Sequence, residues 1–150
     1  MTVPSQARAV IIGGGVVGCS IAYHLGKLGW RDVVLLERKQ LTCGTTWHAA
    51  GLIAQLRATQ NMTRLAKYSQ ELYFGLEAET GVATGFKRNG SITVALSDER
   101  MEELRRSAAM ARAFGVEIDE ISPTDIAARY PGLSVADVVG GVWLPKDGQA

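Results

Sequence analysis

The stretch AVIIGGGVVG, residues 9–18, decides how the beginning of this chain folds. Four apolar residues run directly into three glycines, which is typical of a buried parallel strand followed by a tight turn. Residues 16–29 then show helical spacing and close on a glycine, and the apolar run at 32–37 predicts a second strand. The apolar face of this helix comprises Val17, Ile21, Leu25 and Leu28. The sequence therefore predicts a strand–helix–strand unit with parallel strands.

The glycines of this stretch fill the pattern G-x-G-x-x-G at Gly13, Gly15 and Gly18. In a dinucleotide-binding unit the first permits a tight turn, the second lets the backbone approach a pyrophosphate, and the third lets the helix sit close to the sheet. The helix N-terminus then offers N–H groups to the phosphates. Glu37 ends the second strand, where a carboxylate accepts hydrogen bonds from ribose hydroxyls and repels the 2′-phosphate of NADP. This context favours an FAD or NAD site over a glycine-rich turn without a ligand.

The segment after Glu37 favours FAD over NAD. A plain NAD domain would continue into another strand–helix crossover, whereas residues 38–48 are small and polar and predict a loop. Gly44, Thr45 and Thr46 supply backbone N–H groups and hydroxyls that can follow an extended cofactor beyond its pyrophosphate.

A histidine, His48, closes this loop, and its neighbours alone leave its role open. A hydrogen-bonded ring near a helix start is the structural interpretation, and attachment of a cofactor is the functional one. Cys43 is a rival attachment point, because flavins also bond to cysteine sulfur, although a thiol beside a glycine loop is usually just small and buried. His24 and Cys19 lie on the first helix and are interpreted as structural residues.

The later part of the chain predicts an α+β arrangement of short strands with intervening helices. Ser122, Pro123 and Asp125 form a helix-start signal, with a cap, a proline at the first helical position and an acid at the third. Predicted helices cover about 61–79, 98–114 and 122–130, and predicted strands cover 91–96, 116–121 and 138–144. The side chains expected in the core of this part include Leu65, Tyr68, Leu72, Tyr73, Leu76 and Trp143.

Composition and charge exclude several classes of protein. Sixteen basic residues against fifteen acidic ones leave a net charge of +1, which gives no electrostatic argument for nucleic acid or an anionic membrane surface. Two cysteines are too few for a disulfide framework and lack zinc spacing, so we expect no metal site and a reducing compartment. The first apolar run is too short for a signal peptide or a membrane span. We expect a cytoplasmic protein of which this chain is the front part.

Three segments resemble the N-terminal region of the dimethylglycine and sarcosine dehydrogenases, FAD-dependent amine oxidoreductases of the D-amino-acid-oxidase-like group. These are VIIGGGVVG at 10–18, LLER at 35–38 and TTWHAAGL at 45–52, and the resemblance continues at 90–92, 122–125, 130–133 and 147–148. It implies that FAD is bonded covalently to His48 through its 8α-methyl carbon. The cofactor-binding residues expected from the glycine pattern and the resemblance together are Gly13, Gly15, Val16, Val17, Gly18, Glu37, Arg38, Gly44, Thr45, Thr46, Trp47, His48, Ala49, Ala50, Gly51 and Leu52.

The resemblance also implies a fold and an activity. An FAD-binding Rossmann-like unit, 1–58, is expected to be followed by the first part of an interleaved α+β substrate domain, 59–150. The implied reaction oxidises dimethylglycine or sarcosine by hydride transfer to the flavin, and the iminium yields formaldehyde or a folate-bound one-carbon unit. Another amine or amino acid as substrate, or a non-catalytic regulatory homologue, are the alternatives.

Some roles stay open at the level of sequence. We expect the catalytic residues to lie beyond this chain, which alone would be inactive, and we predict neither its electron acceptor nor a folate-binding half. A basic set, Arg57, Arg64 and Lys67, could meet a substrate carboxylate, although a solvated helix face is the favoured interpretation. The expected location becomes the mitochondrial matrix if the source is eukaryotic.

Overall fold

The computed structural model describes residues 4–150, which divide along the chain into two compact units between Ala50 and Gly51. The first unit contains strand β1 (Ala9–Ile12), helix α1 (Val16–Lys27) and strand β2 (Val33–Leu36). The two strands pair in parallel. This is the predicted strand–helix–strand unit, and it confirms the expected α/β class for this part of the chain. The predicted boundary at residue 58 concerns functional domains and stays a prediction.

The second unit mixes helices with antiparallel strands, as the α+β pattern predicts. Its elements are β3 (Leu52–Ile53), α2 (Gln60–Thr80), β4 (Ser91–Ala95), α3 (Asp98–Ala113), β5 (Asp119–Ile121), α4 (Pro123–Arg129), β6 (Gly140–Leu144) and β7 (Gly148–Gln149). Strand β6 lies between β4 and β5 in one sheet, and β3 pairs with β7 in another. Ser122 and Asp125 form the expected capping box at the start of α4.

The core of the second unit lies between α3 and the three-stranded sheet. Helix α3 contributes Met101, Leu104, Ala108 and Ala111, and the sheet contributes Ala95, Val142 and Leu144. A smaller apolar cluster gathers around Ile126 of α4, which is fully buried. These side chains recur at helical spacing on α3, so burial of one face explains why this charged segment is a helix.

The prediction for the buried face of α2 was wrong. Leu65 and Tyr68 are 59% and 50% exposed, and the fully buried residues of the helix are the polar Thr63 and Gln70. The reason is that Thr63 and Gln70 find hydrogen-bond partners inside the second unit, which removes the usual cost of burying polar groups. Trp143 is half-buried rather than fully enclosed.

Helix α1 shows a similar departure from the expected pattern. Within residues 4–150, Val17 is 70% exposed and Leu28 is 75% exposed, while Leu25 is half-buried. The helix does end as predicted, because Gly29 adopts a positive φ of 81° directly after its last turn.

Candidate functional site

The glycine turn that follows β1 brings the first turn of α1 into close contact with the backbone of Gly13. Gly13 has a φ of 106°, which favours glycine, and its N–H donates to the oxygen of Leu36 at 2.8 Å. A Cβ atom on Gly18 would collide with the backbone oxygen of Gly13. The turn therefore requires glycine at both positions for geometric reasons alone.

The N-terminus of α1 offers backbone donors to an anion. The first N–H groups of a helix have no partner within it and carry partial positive charge. Gly15 caps this end without a side-chain hydrogen bond, and the N–H of Val16 donates to Thr46 Oγ1 at 3.0 Å. Thr46 is thereby held against the glycine turn, where its hydroxyl proton can point to a phosphate oxygen.

Glu37 is held by backbone donors. Its two carboxylate oxygens accept the N–H of Gly14 at 2.8 Å and the N–H of Lys39 at 2.9 Å. The bond from Gly14 is the largest cause, followed by that from Lys39, of a pKa for Glu37 below the ordinary glutamate value. Each carboxylate oxygen keeps a lone pair, so the ionised group can still accept from ribose hydroxyls.

A cavity of about 630 Å³ lies within the first unit and gathers most of the expected cofactor residues. Of those residues, the ones that line it are Gly13, Gly15, Val16, Val17, Gly18, Glu37, Arg38, Gly44, Thr45, Thr46 and Ala49. Trp47, His48 and Ala50 belong to the same unit but do not line this cavity, and Gly51 and Leu52 belong to the second unit. The cavity combines a donor-rich glycine turn with a fixed carboxylate, which fits the pyrophosphate and ribose of a dinucleotide.

His48 lies at the end of a short 3₁₀ turn, Thr45–His48, and is exposed. Its Nδ1 lies 3.0 Å from the backbone oxygen of Gly44. A carbonyl oxygen only accepts, so Nδ1 carries the proton, and in the neutral ring Nε2 then carries the lone pair. Trp47 beside it is 79% exposed. The geometry leaves Nε2 as the nucleophilic atom of this side chain.

The cysteines and the second histidine differ in their surroundings. Cys43 is exposed and lines the cavity, so geometry keeps it as a rival to His48 for attachment of a cofactor. Cys19 is half-buried, with its Sγ 3.5 Å from the oxygen of Gly14. His24 Nδ1 lies 2.6 Å from the oxygen of Ser20, within its own helix.

Sequence reasoning missed some residues of the cavity. Lys39 and Thr42 line it, and Thr42 has a positive φ of 64° while its N–H donates to the oxygen of Gly14 at 2.9 Å. A left-handed threonine is uncommon, so nothing in its residue type signals this turn.

The three basic residues of the second unit, Arg57, Arg64 and Lys67, differ in their contacts. Lys67 Nζ donates to the oxygen of Gly115 at 2.6 Å, which ties α2 to the end of α3. Arg57 and Arg64 are exposed.

Among residues 4–150 there is no cluster of three or more metal-ligating side chains, and no described helix is long and apolar enough to cross a bilayer.

Comparison with known proteins places this geometry among flavoproteins. A family model described as DAO, FAD dependent oxidoreductase, matches residues 8–150. Mouse mitochondrial sarcosine dehydrogenase is 42% identical over 97% of this chain, and rat mitochondrial dimethylglycine dehydrogenase is 43% identical over 95%. The mitochondrial pyruvate dehydrogenase phosphatase regulatory subunit of mouse is 42% identical over 98%. The chain spans 16–17% of the length of these relatives.

A solved structure supports the same fold. The crystal structure of L-proline dehydrogenase from P. horikoshii superposes with a TM-score of 0.90 and 30% identity. The match covers 99% of this chain and 39% of that one.

Proposed function

Because this chain belongs to the family of FAD-dependent oxidoreductases, we propose that the full-length protein oxidises an N-methylated glycine, dimethylglycine or sarcosine. FAD supplies the two-electron acceptor for the hydride, and the protein binds and orients both partners. The substrate amine reacts in its neutral form, since its lone pair drives loss of hydride. Water would hydrolyse the iminium product to formaldehyde and the demethylated amine, or the product would pass its one-carbon unit to folate.

One observation carries the proposal, namely the identity of 42–43% with sarcosine and dimethylglycine dehydrogenases over nearly the whole chain. Sarcosine and dimethylglycine are both N-methylated glycines, so two relatives at the same level of identity share one substrate class. The first unit supports the cofactor half of the proposal, because its glycine turn, helix N-terminus and Glu37 carboxylate suit a dinucleotide.

The proposal includes a covalent bond between His48 and the 8α-methyl carbon of FAD. This bond would replace one C–H bond of the methyl group, with two protons released to solvent and two electrons passed through the flavin to its electron acceptor. Nδ1 faces the oxygen of Gly44, so we assign the bond to Nε2. The attached ring would withdraw electron density from the flavin, and the flavin would then accept a hydride from an unactivated N-methyl group more readily. We propose a reducing compartment, the cytoplasm or the mitochondrial matrix of a eukaryote, since Cys19 and Cys43 are free thiols.

The decisive experiment measures reduction of an artificial electron acceptor by the full-length protein. Sarcosine, dimethylglycine and several D-amino acids are supplied in parallel at equal concentration. We expect turnover with one or both N-methylated glycines. Turnover with D-amino acids alone would overturn the proposed substrate class while leaving FAD as the cofactor.

A second candidate function is regulation without catalysis. The observation that favours it is the 42% identity with the mouse phosphatase regulatory subunit over 98% of the chain. A regulatory protein that binds FAD would keep its oxidised flavin absorbance when mixed anaerobically with each amine. Bleaching of that absorbance by an N-methylated glycine would exclude this alternative.

A further inference from the structure

An open groove of about 280 Å³ lies wholly within the second unit, between β3 and the N-terminal half of α2. The residues that characterise it are Leu52, Ile53, Met62, Leu65, Tyr73 and Arg57, and we call it the Arg57 groove. Pockets for drug-sized ligands span about 300–1,000 Å³, so this groove suits a smaller molecule. Leu65, which was predicted to be buried in the core, thus lines an open recess instead.

Arg57 is the only charged side chain among the described residues that line the Arg57 groove. Within residues 4–150 its guanidinium makes one hydrogen bond, from Nη1 to the oxygen of Leu56 at 2.9 Å. A guanidinium has five N–H donors in a planar fork that matches a carboxylate. Donors therefore remain for an anion.

The backbone of Arg57 is fixed by a buried side chain. The N–H of Arg57 donates to Thr63 Oγ1 at 3.1 Å, and the Thr63 hydroxyl donates to the oxygen of Arg57 at 3.2 Å. Thr63 is fully buried, so a residue inside the unit holds both polar backbone groups of an exposed arginine. Because the backbone of Arg57 is already ordered, less conformational entropy is lost when its side chain binds a ligand.

Two hydroxyl groups also line the groove, those of Ser69 and Tyr73. The hydroxyl of Ser69 donates to the oxygen of Leu65 at 2.9 Å, so the donors left for a ligand are the charged guanidinium of Arg57 and the neutral phenol of Tyr73. No aspartate or glutamate lines the groove within the described residues, so it offers no carboxylate to an ammonium group. The recess therefore suits a molecule with a carboxylate at one end and apolar, methylated atoms at the other.

We propose that the Arg57 groove binds an N-methylated amino acid, with Arg57 receiving its carboxylate and the apolar wall receiving its methylated carbons. Arg57 is then a specificity-determining residue that separates amino acids from simple amines. The inference rests on the proposed function, because that function supplies the ligand class.

The test measures binding to the full-length holoenzyme by calorimetry with two probes. Dimethylglycine carries the carboxylate, and N,N-dimethylethylamine carries a methyl group in its place. We expect Arg57→Gln to weaken binding of dimethylglycine about tenfold or more and to leave binding of the amine unchanged. Arg57→Lys should restore part of the loss, since it keeps the charge without the planar fork.

Arg64→Gln is the matched control, because it removes an exposed arginine of α2 that does not line the groove. An Arg57→Gln variant that binds dimethylglycine as the wild type does would overturn the inference. Equal losses in the Arg57→Gln and Arg64→Gln variants would also overturn it, since they would point to the general positive charge of the second unit.

A filling variant tests the recess independently of charge. Ala66 lines the groove and is half-buried, and Ala66→Leu adds bulk with a good helix former. We expect it to weaken both probes, and unchanged binding would place the ligand elsewhere. Failure of the proposed function can be distinguished from failure of this inference. A protein that oxidises no N-methylated glycine can still bind dimethylglycine in a way that depends on Arg57.

Discussion

The carboxylate of Glu37 accepts the backbone N–H of Gly14 at 2.8 Å, which ties the end of β2 to the middle of the glycine turn. Its other oxygen accepts the N–H of Lys39 at 2.9 Å. These bonds favour the ionised form and lower the pKa of Glu37. The acid therefore holds the turn in place through its own hydrogen bonds.

Replacement of Glu37 by glutamine should weaken FAD binding about three- to tenfold, because an amide nitrogen cannot accept the hydrogen bond that a carboxylate oxygen accepts. The measurement is quenching of flavin fluorescence on the apoprotein, in a His48→Ala background so that binding stays reversible. Glu99→Gln is the control, since Glu99 also has a lowered pKa but lies at the start of α3 in the other unit. Equal losses in both variants would contradict the role given to Glu37.

The lowered pKa of Glu37 predicts a dependence of FAD binding on pH. A group whose folded pKa lies below its ordinary value, here 4.5, stabilises the folded turn above that value. The stabilisation is lost as the pH falls through the folded pKa. We expect FAD affinity of the protein to fall below pH 4.5 and the Glu37→Gln variant to show less of this fall. Parallel profiles would show that another group titrates.

The close approach at Gly18 predicts a sharp contrast between two glycines of α1. Gly18→Ala places a Cβ against the oxygen of Gly13, so the turn must shift and FAD binding should fall by at least tenfold. Gly26→Ala meets nothing within 4 Å and should stabilise the helix by about 0.5–1 kcal/mol. Flavin content and thermal unfolding of both variants give the comparison. Full flavin content in Gly18→Ala would refute the steric argument.

Covalent attachment of the flavin is tested by asking whether flavin fluorescence stays with the denatured protein. The protein is precipitated with acid, and flavin fluorescence is sought in the washed pellet. His48→Ala should release all FAD to the supernatant, whereas Cys43→Ser should retain it, because Nε2 of His48 is the proposed bonding atom. The reverse pattern would assign the bond to Cys43, which lines the cavity. Free FAD in the wild-type supernatant would exclude attachment altogether.

Local signals explain why much of the fold could be predicted from the sequence. The strand–helix–strand unit follows from an apolar run, helical spacing and glycine stops within about 30 residues, which is typical of such a unit. The start of α4 at Ser122 is equally local, because its capping box needs only Asp125, three residues on. The glycine turn identified the candidate site for the same reason.

The features that could not be predicted depend on contacts between distant segments. Strands β3 and β7 have two residues each, too few to show a period, and Leu52 pairs with Gln149 across most of the chain. The bond from Gly14 to Glu37 and the burial of Gln70 are likewise set by tertiary partners. Hydrophobic spacing on α2 therefore identified a helix but assigned the wrong face to the core.

Asp147 joins these distant segments, so its removal should be costly. It is almost fully buried, and its carboxylate accepts the N–H of Gln55 at 2.9 Å and the hydroxyl of Ser91 at 2.7 Å. Asp147→Ala leaves both donors without an acceptor, which we expect to lower the free energy of unfolding by about 2–4 kcal/mol.

Thermal and urea unfolding of the full-length protein measure this loss, and Asp137→Ala is the matched control because Asp137 is an exposed acid of the same unit. Asp147→Asn should recover part of the loss, since its amide oxygen can still accept one of the two hydrogen bonds. Equal stability of the Asp147→Ala and Asp137→Ala variants would mean that water replaces the carboxylate. In that case Gln55 and Ser91 would be satisfied without Asp147, and β3 would hold its register through its pairing with β7 alone.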